Sequence, residues 1–156
     1  MVFCGVVEMA HQYPLTLTWS GNTLGDPYSR DAVAEAAGKV AIPVSSAAEY
    51  AGNVQCWNPE DLLGTALATC HMLTFLALCA KTKIEVKGYE DRAVSVLDTV
   101  EKVTSVTEIH LNPTIRVAPG TSVEKVVELF EKAHKYCFVA NSIKTKVLMA
   151  PTVVEG

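Results

Sequence analysis

Asn58-Pro59-Glu60-Asp61-Leu62-Leu63 opens a run, NPEDLLGTALATCHMLTFLALCA, that continues without a break to Ala80. It starts as a helix should. Asn58 can cap the free N–H groups, Pro59 suits the first helical position, and Glu60 and Asp61 face the positive end of the dipole. From Leu62 to Ala80 no residue is charged, and apolar side chains fall on every side, Leu63, Leu67, Leu73, Phe75 and Leu78 among them. A helix apolar all round is expected to be buried all round. Cys70 stands in its middle, followed by His71. The run is also long enough to cross a membrane. Gly64, Thr65, Thr69, His71 and Thr74 dilute it, however, and no aromatic belt flanks it. The acidic start and Lys81 and Lys83 at the far end suit the core helix of a soluble protein.

The chain has 156 residues, enough for one domain with a core of its own, and a formal net charge of −4. This mildly acidic balance argues against a nucleic-acid or anionic-membrane partner. Met1 to Ala10 is apolar but lacks a basic segment, contains Glu8 and precedes no small-residue cleavage site, so no signal peptide is expected. Five cysteines, an odd number without the dense spacing of a secreted scaffold, point to a reducing compartment and a cytoplasmic location.

Outward from the central helix, residues 2 to 7 and 13 to 19 read as strands, the second with Leu15, Leu17 and Trp19 alternating with threonines. Tyr28 to Gly38 is polar and ambiguous, and carries Arg30, the only arginine of the first half. Lys39 to Val44 reads as a short strand, and Ser45 to Trp57 as a loop of small residues. Beyond the helix, Ile84 to Val100 is strand-like. A turn at Glu101-Lys102 leads to the alternating, β-branched run Val103 to Leu111, which Pro113 interrupts before Thr114 to Val117. Thr121-Ser122-Val123-Glu124 carries the capping-box pattern of a second helix. This helix is amphipathic, with Val123, Val126, Val127, Phe130 and Ala133 on one face, and it ends just before Cys137. Lys144 to Val154 closes the chain as a strand. Three strands, a buried helix, a hairpin, an amphipathic helix and a strand make an α+β pattern in one domain over residues 1–156.

A single cysteine is by default a small buried hydrophobe, and Cys4 on a strand, Cys56 in the loop and Cys79 near the helix end keep that reading. Cys137, at a helix end beside Tyr136 and Ala140-Asn141-Ser142, is placed where a thiol can be reached. Cys70-His71 and His134-x-x-Cys137 also offer two cysteines and two histidines to a metal. Neighbouring helix residues point about 100° apart, however, which hinders Cys70 and His71 from gripping one ion. His71 itself reads as a core or interface histidine with a satisfied hydrogen bond, or as a group that tunes Cys70 or carries a proton.

Over nearly its whole length the sequence resembles the OsmC/Ohr family, the osmotically induced and organic-hydroperoxide-resistance proteins. The resemblance rests on Asn58-Pro59-Glu60-Asp61-Leu62-Leu63, Cys70-His71-Met72-Leu73, Tyr89-Glu90-Asp91, Thr107 to Pro113 and Cys137 to Ser142. The twelve-residue step from Asn58 to Cys70 is similar to the family's spacing. Trp19-Ser20-Gly21-Asn22 and Tyr28-Ser29-Arg30-Asp31 resemble the opening of one OsmC-like branch. His71 and Phe138 stand where Ohr proteins commonly carry an aromatic residue and a proline.

The resemblance implies antiparallel sheets packed around a long buried central helix and a second amphipathic helix, in an intertwined homodimer. It also implies a thiol peroxidase acting on organic hydroperoxides, with Cys70 peroxidatic and Cys137 resolving. A sulfenic acid formed at Cys70 would condense with Cys137 to a disulfide before over-oxidation. A dithiol such as a lipoyl group would reopen it. Arg30 would supply the cation that favours the Cys70 thiolate, and Glu60 would orient the guanidinium. Glu60 and Cys70 are ten residues apart, about 15 Å along one helix. A shared site therefore needs Arg30 to span the gap, or Glu60 to come from a second, antiparallel copy of the helix. With no nucleotide, flavin or haem motif, no cofactor is expected beyond the cysteines. The alternative is a non-enzymatic OsmC-like protein that binds a small hydrophobic ligand at the dimer interface.

Overall fold

The computed structural model describes residues 10–156; the strand expected at 2–7, with Cys4, lies outside them. The chain divides into two compact units at Asn58 and Pro59.

In the first unit, β1 (Thr16–Trp19), β2 (Ala32–Glu35) and β3 (Ile42–Val44) form an antiparallel sheet in the order β1-β2-β3, with Leu17 opposite Ala34 and Val33 opposite Pro43. β2 is the part of the ambiguous Tyr28–Gly38 stretch that pairs with both neighbours. The small-residue loop that follows is fixed by hydrogen bonds. Ser45 N–H donates to the Trp57 carbonyl at 2.9 Å and Trp57 N–H to the Pro43 carbonyl at 3.1 Å. The buried Ser45 hydroxyl donates to Asp31 Oδ1 at 2.9 Å and accepts from Asn53 N–H at 3.1 Å. At Gly52 a Cβ would collide with the Ser46 carbonyl, so only glycine closes this loop.

The second unit is built on α1 (Pro59–Lys81), which begins at the proline and runs through the uncharged stretch. Two sheets accompany it. One orders β4 (Val86–Asp91), β7 (Pro113–Val117) and β9 (Thr152–Glu155); the other orders β5 (Val94–Val100), β6 (Val103–Leu111) and β8 (Lys146–Met149). Each joins an antiparallel pair, β4/β7 or β5/β6, to a parallel one, β7/β9 or β6/β8. The expected antiparallel pairs are present in both sheets, and β8 and β9 each add one parallel strand to them.

Three aligned breaks divide the strands between the two sheets. The expected strand 84–100 divides at Arg92-Ala93, β6 gives way to β7 at Asn112, and the closing strand divides at Ala150-Pro151. Proline lacks the N–H that a continuous ladder needs, which accounts for the breaks at Pro113 and Pro151. The corner is tied by Asn112 N–H to Asp91 Oδ1 at 2.8 Å, Asn112 Nδ2 to the Arg92 carbonyl at 3.2 Å, and Ala150 N–H to the Leu111 carbonyl at 2.9 Å. Tyr89-Glu90-Asp91 and Thr107–Pro113 thus meet here as structural corner pieces.

α2 (Val123–Tyr136) is amphipathic as expected, but its buried face is Val126, Leu129, Phe130 and Ala133, while Val123 is exposed. The cap also sits one residue later than the capping-box pattern suggests. Ser122 Oγ accepts Lys125 N–H at 3.2 Å and donates to Glu124 at 3.0 Å, whereas the Thr121 hydroxyl closes the preceding turn on Ala118. The core joins Leu67, Phe75 and Cys79 of α1 to this face and to Ile109, Leu111, Ile115 and Val117 of the sheets.

α1 is not buried on all sides within this chain. Gly64, Leu67, His71, Phe75 and Cys79 are buried at three- and four-residue steps, while Thr65, Thr69, Leu73, Ala77 and Ala80 form an exposed stripe. One small sheet layer and one helix cover only one side of it. Gly64 lets α1 approach β5: a Cβ there would run into the Ser95 hydroxyl, which donates to the Glu60 carbonyl at 3.1 Å.

Candidate active site

Cys70 lies in the middle of α1, partly exposed, between the buried and exposed faces of the helix. Its carbonyl accepts the Thr74 hydroxyl at 2.9 Å. Cys137 ends α2 as its C-cap, with extended backbone, and is fully buried. Packing of α2 on α1 brings these thiols together although 66 residues separate them, and they are within hydrogen-bonding reach. The Cys137 thiol is held above its ordinary pKa, first by burial and then by the hydrogen bond to Cys70 and the charge Cys70 can carry. Working the other way, its Sγ accepts Ala140 N–H at 3.4 Å, and Val139 N–H acts in the same sense. A buried thiol that keeps its proton and hydrogen-bonds a more accessible sulfur is suited to a second, resolving step.

Beside the thiols lies a pair of histidines, His71 and His134, one from each helix. His71 is fully buried, 4.3 Å from the Phe130 ring and 6.2 Å from the His134 ring, centroid to centroid. Neither of its ring nitrogens has a hydrogen-bond partner, nor does Nδ1 of His134. His71 is thus the expected core histidine, but without the expected satisfied hydrogen bond. Burial, and secondarily His134, lower its pKa to about 4, against an opposing pull from the Phe130 carbonyl. It is a neutral imidazole at any ordinary pH. Among the described residues, no three His, Cys, Asp or Glu side chains are grouped to hold a metal ion.

Glu60 occupies the first turn of α1, three turns from Cys70, and its Oε2 is buried without a hydrogen-bond partner. Arg30 belongs to the first unit. Its Nη1 donates to the Tyr28 carbonyl at 3.0 Å and its guanidinium lies over the Tyr28 ring at 4.3 Å. Of the four residues named from the sequence, the second unit therefore brings Cys70 and Cys137 together and leaves Glu60 apart from them. Cys79 is buried with its thiol pushed up to about 11 by burial, as suits a core residue. The backbone N–H groups of Val139 and Ala140 left no trace in the sequence, because they act through conformation and not through side chains.

The comparisons with known proteins agree with this architecture. The uncharacterized protein YmaD of Bacillus subtilis is 22% identical over 140 residues, covering 88% of this chain and 89% of its own. The solved structure of an OsmC-like protein of unknown function from Vibrio cholerae is similar with a TM-score of 0.83 and 28% identity, over 91% of this chain and 99% of that one. An organic hydroperoxide resistance protein from Elizabethkingia anophelis shares the fold with a TM-score of 0.71 and 21% identity, over 96% and 99% of the two chains. The sequence model of the OsmC-like proteins matches residues 52–150, a span that includes α1, both thiols and every strand of the second unit except β9. The chain belongs to the OsmC family.

Proposed function

We propose that this protein is a thiol-dependent peroxidase that reduces organic hydroperoxides through a Cys70 sulfenic acid and a Cys70–Cys137 disulfide. The observation that carries the reading is the pairing of a partly exposed thiol on α1 with a buried, protonated thiol at the end of α2. Relatives named organic hydroperoxide resistance proteins share the fold and support the substrate class.

In the first step the Cys70 thiolate attacks the peroxide oxygen, the O–O bond breaks, and the alcohol leaves with a proton. Cys70 becomes a sulfenic acid. Cys137 then attacks that sulfur and releases water, which closes the disulfide before a second peroxide can over-oxidise Cys70. A dithiol returns both cysteines to thiols. Arg30 is the cation proposed to favour the Cys70 thiolate, and Glu60 the carboxylate proposed to orient it. The partnerless, buried Oε2 of Glu60 supports that role, because a desolvated carboxylate oxygen calls for a cationic donor. A two-fold dimer, with Glu60 of one copy serving Cys70 of the other, reconciles their separation along α1.

Exposure of the reduced protein to cumene hydroperoxide, followed by intact mass and peptide mapping, tests the reading. The expected result is a loss of two hydrogens with a Cys70–Cys137 crosslink. In Cys137→Ser, oxygen should accumulate on Cys70 instead. An unchanged mass, or peroxide turnover that survives Cys70→Ser, would sink the proposal.

A further inference from the structure

Glu60 is the second residue of α1, in the turn where a helix frays most readily. Its Oε2 is nevertheless buried, with no hydrogen-bond partner in its own chain. A carboxylate oxygen out of water swings back to solvent unless its turn is fixed. β5 fixes it. Ser95 pairs with the fully buried Ile109 in the β5/β6 ladder, so its backbone is anchored in the sheet that lines the core. The Ser95 hydroxyl donates to the Glu60 carbonyl at 3.1 Å, joining sheet to helix at the residue that carries the carboxylate. This contact needs glycine at position 64. A Cβ there would run into the Ser95 hydroxyl, yet it would lie 3.8 Å from the Ser95 Cβ, an ordinary contact distance. Glycine inside a helix is destabilising relative to alanine, and Gly64 is the only glycine of α1. The helix thus gives up stability where the hydroxyl needs room.

We infer that Ser95 and Gly64 form a mount for the Glu60 carboxylate. Ser95 is a positioning residue that acts through the Glu60 backbone, and Gly64 admits its hydroxyl. This rests on the role proposed above for Glu60, the carboxylate that orients a cationic partner. All three residues belong to one chain, so the mount is complete before any second copy is added. A paired carboxylate and guanidinium depend on direction, because two parallel N–H···O bonds need both oxygens in place. Held by the mount, Glu60 offers its oxygens along a fixed line. Released, the first turn loosens, and the side chain exchanges that line for a set of solvated rotamers.

The test is a double-mutant cycle with two readouts. Ser95→Ala removes the hydroxyl, Gly64→Ala displaces it, and the double variant removes it while relieving the collision. The rate of Cys70 oxidation by cumene hydroperoxide in a single turnover reads the positioning, and the urea midpoint reads the stability. Oxidation is expected to slow about tenfold, and alike, in all three variants and in Glu60→Gln. Gly64→Ala should be the least stable, and the double variant should regain that stability without regaining the rate. A wild-type rate in Ser95→Ala overturns the inference, and so does a rate that follows the urea midpoint and returns in the double variant. Glu60→Gln at the wild-type rate overturns the mount together with the role of Glu60, while the Cys70–Cys137 crosslink still decides the peroxidase reading. A wild-type chain that cumene hydroperoxide leaves unoxidised overturns both readings at once.

Discussion

His71 is the residue least at ease with its surroundings. A fully buried imidazole with neither nitrogen hydrogen-bonded carries a desolvation cost of about 1–3 kcal/mol. Its folded-state pKa of about 4 lies below the ordinary 6.5, so between these values the unfolded chain takes the proton and the folded one does not. Stability contributed by the neutral ring is complete above pH 6.5, falls as the pH drops towards 4, and levels off below. At pH 5 the expected loss from this residue is about 2 kcal/mol relative to pH 7. Urea unfolding at the two pH values checks it: wild type should lose about that much more than His71→Leu. Equal losses would show that the ring is not held neutral by the fold. The thiols were legible only through family resemblance, because their meeting depends on helix packing across 66 residues of sequence. The histidine pair was visible as residue types, but sequence spacing gives neither burial nor the lack of a partner.

Among the elements, those with local signals were the most legible. α1 begins at the expected proline and ends where the lysines begin, and β6 occupies the expected Val103–Leu111. The hairpin turn at Glu101-Lys102 was also apparent, but its geometry was not. Both residues have positive φ, 50° and 68°, the pattern of a type I′ turn that favours Asn-Gly. Neither residue adopts that region without strain. Replacing the pair with Asn-Gly should raise stability by about 1 kcal/mol, seen as a higher urea midpoint with an unchanged slope. A lower midpoint would mean that the two side chains contribute more than the turn strain costs. The corners at 92–93, 112 and 150–151 were less legible, because the runs of β-forming residues continue through two of them. Only pairing with neighbouring strands decides where such a run bends. β2 was ambiguous for the same reason, since four residues of modest propensity become a strand through their partners.

For the whole molecule, the exposed apolar surface is the feature that most needs a partner. The stripe Thr65, Thr69, Leu73, Ala77 on α1 is uncovered, and every residue of β1 is exposed, Leu17 at 63% and Trp19 at 40%. Uncovered apolar faces of this kind mark association surfaces, and a two-fold axis lets one such surface meet itself. Two antiparallel copies of α1 would also carry Glu60 of each chain towards Cys70 of the other. That arrangement can be tested by complementation. Glu60→Ala and Cys70→Ser are each expected to have little peroxidase activity. After the two are unfolded together and refolded, half of the dimers are mixed, and each mixed dimer holds one site with both Glu60 and Cys70 intact. Activity should therefore return to about a quarter of wild type. Recovery of none, with mixed dimers demonstrated by mass, would assign Glu60 and Cys70 to the same chain's site or remove Glu60 from it.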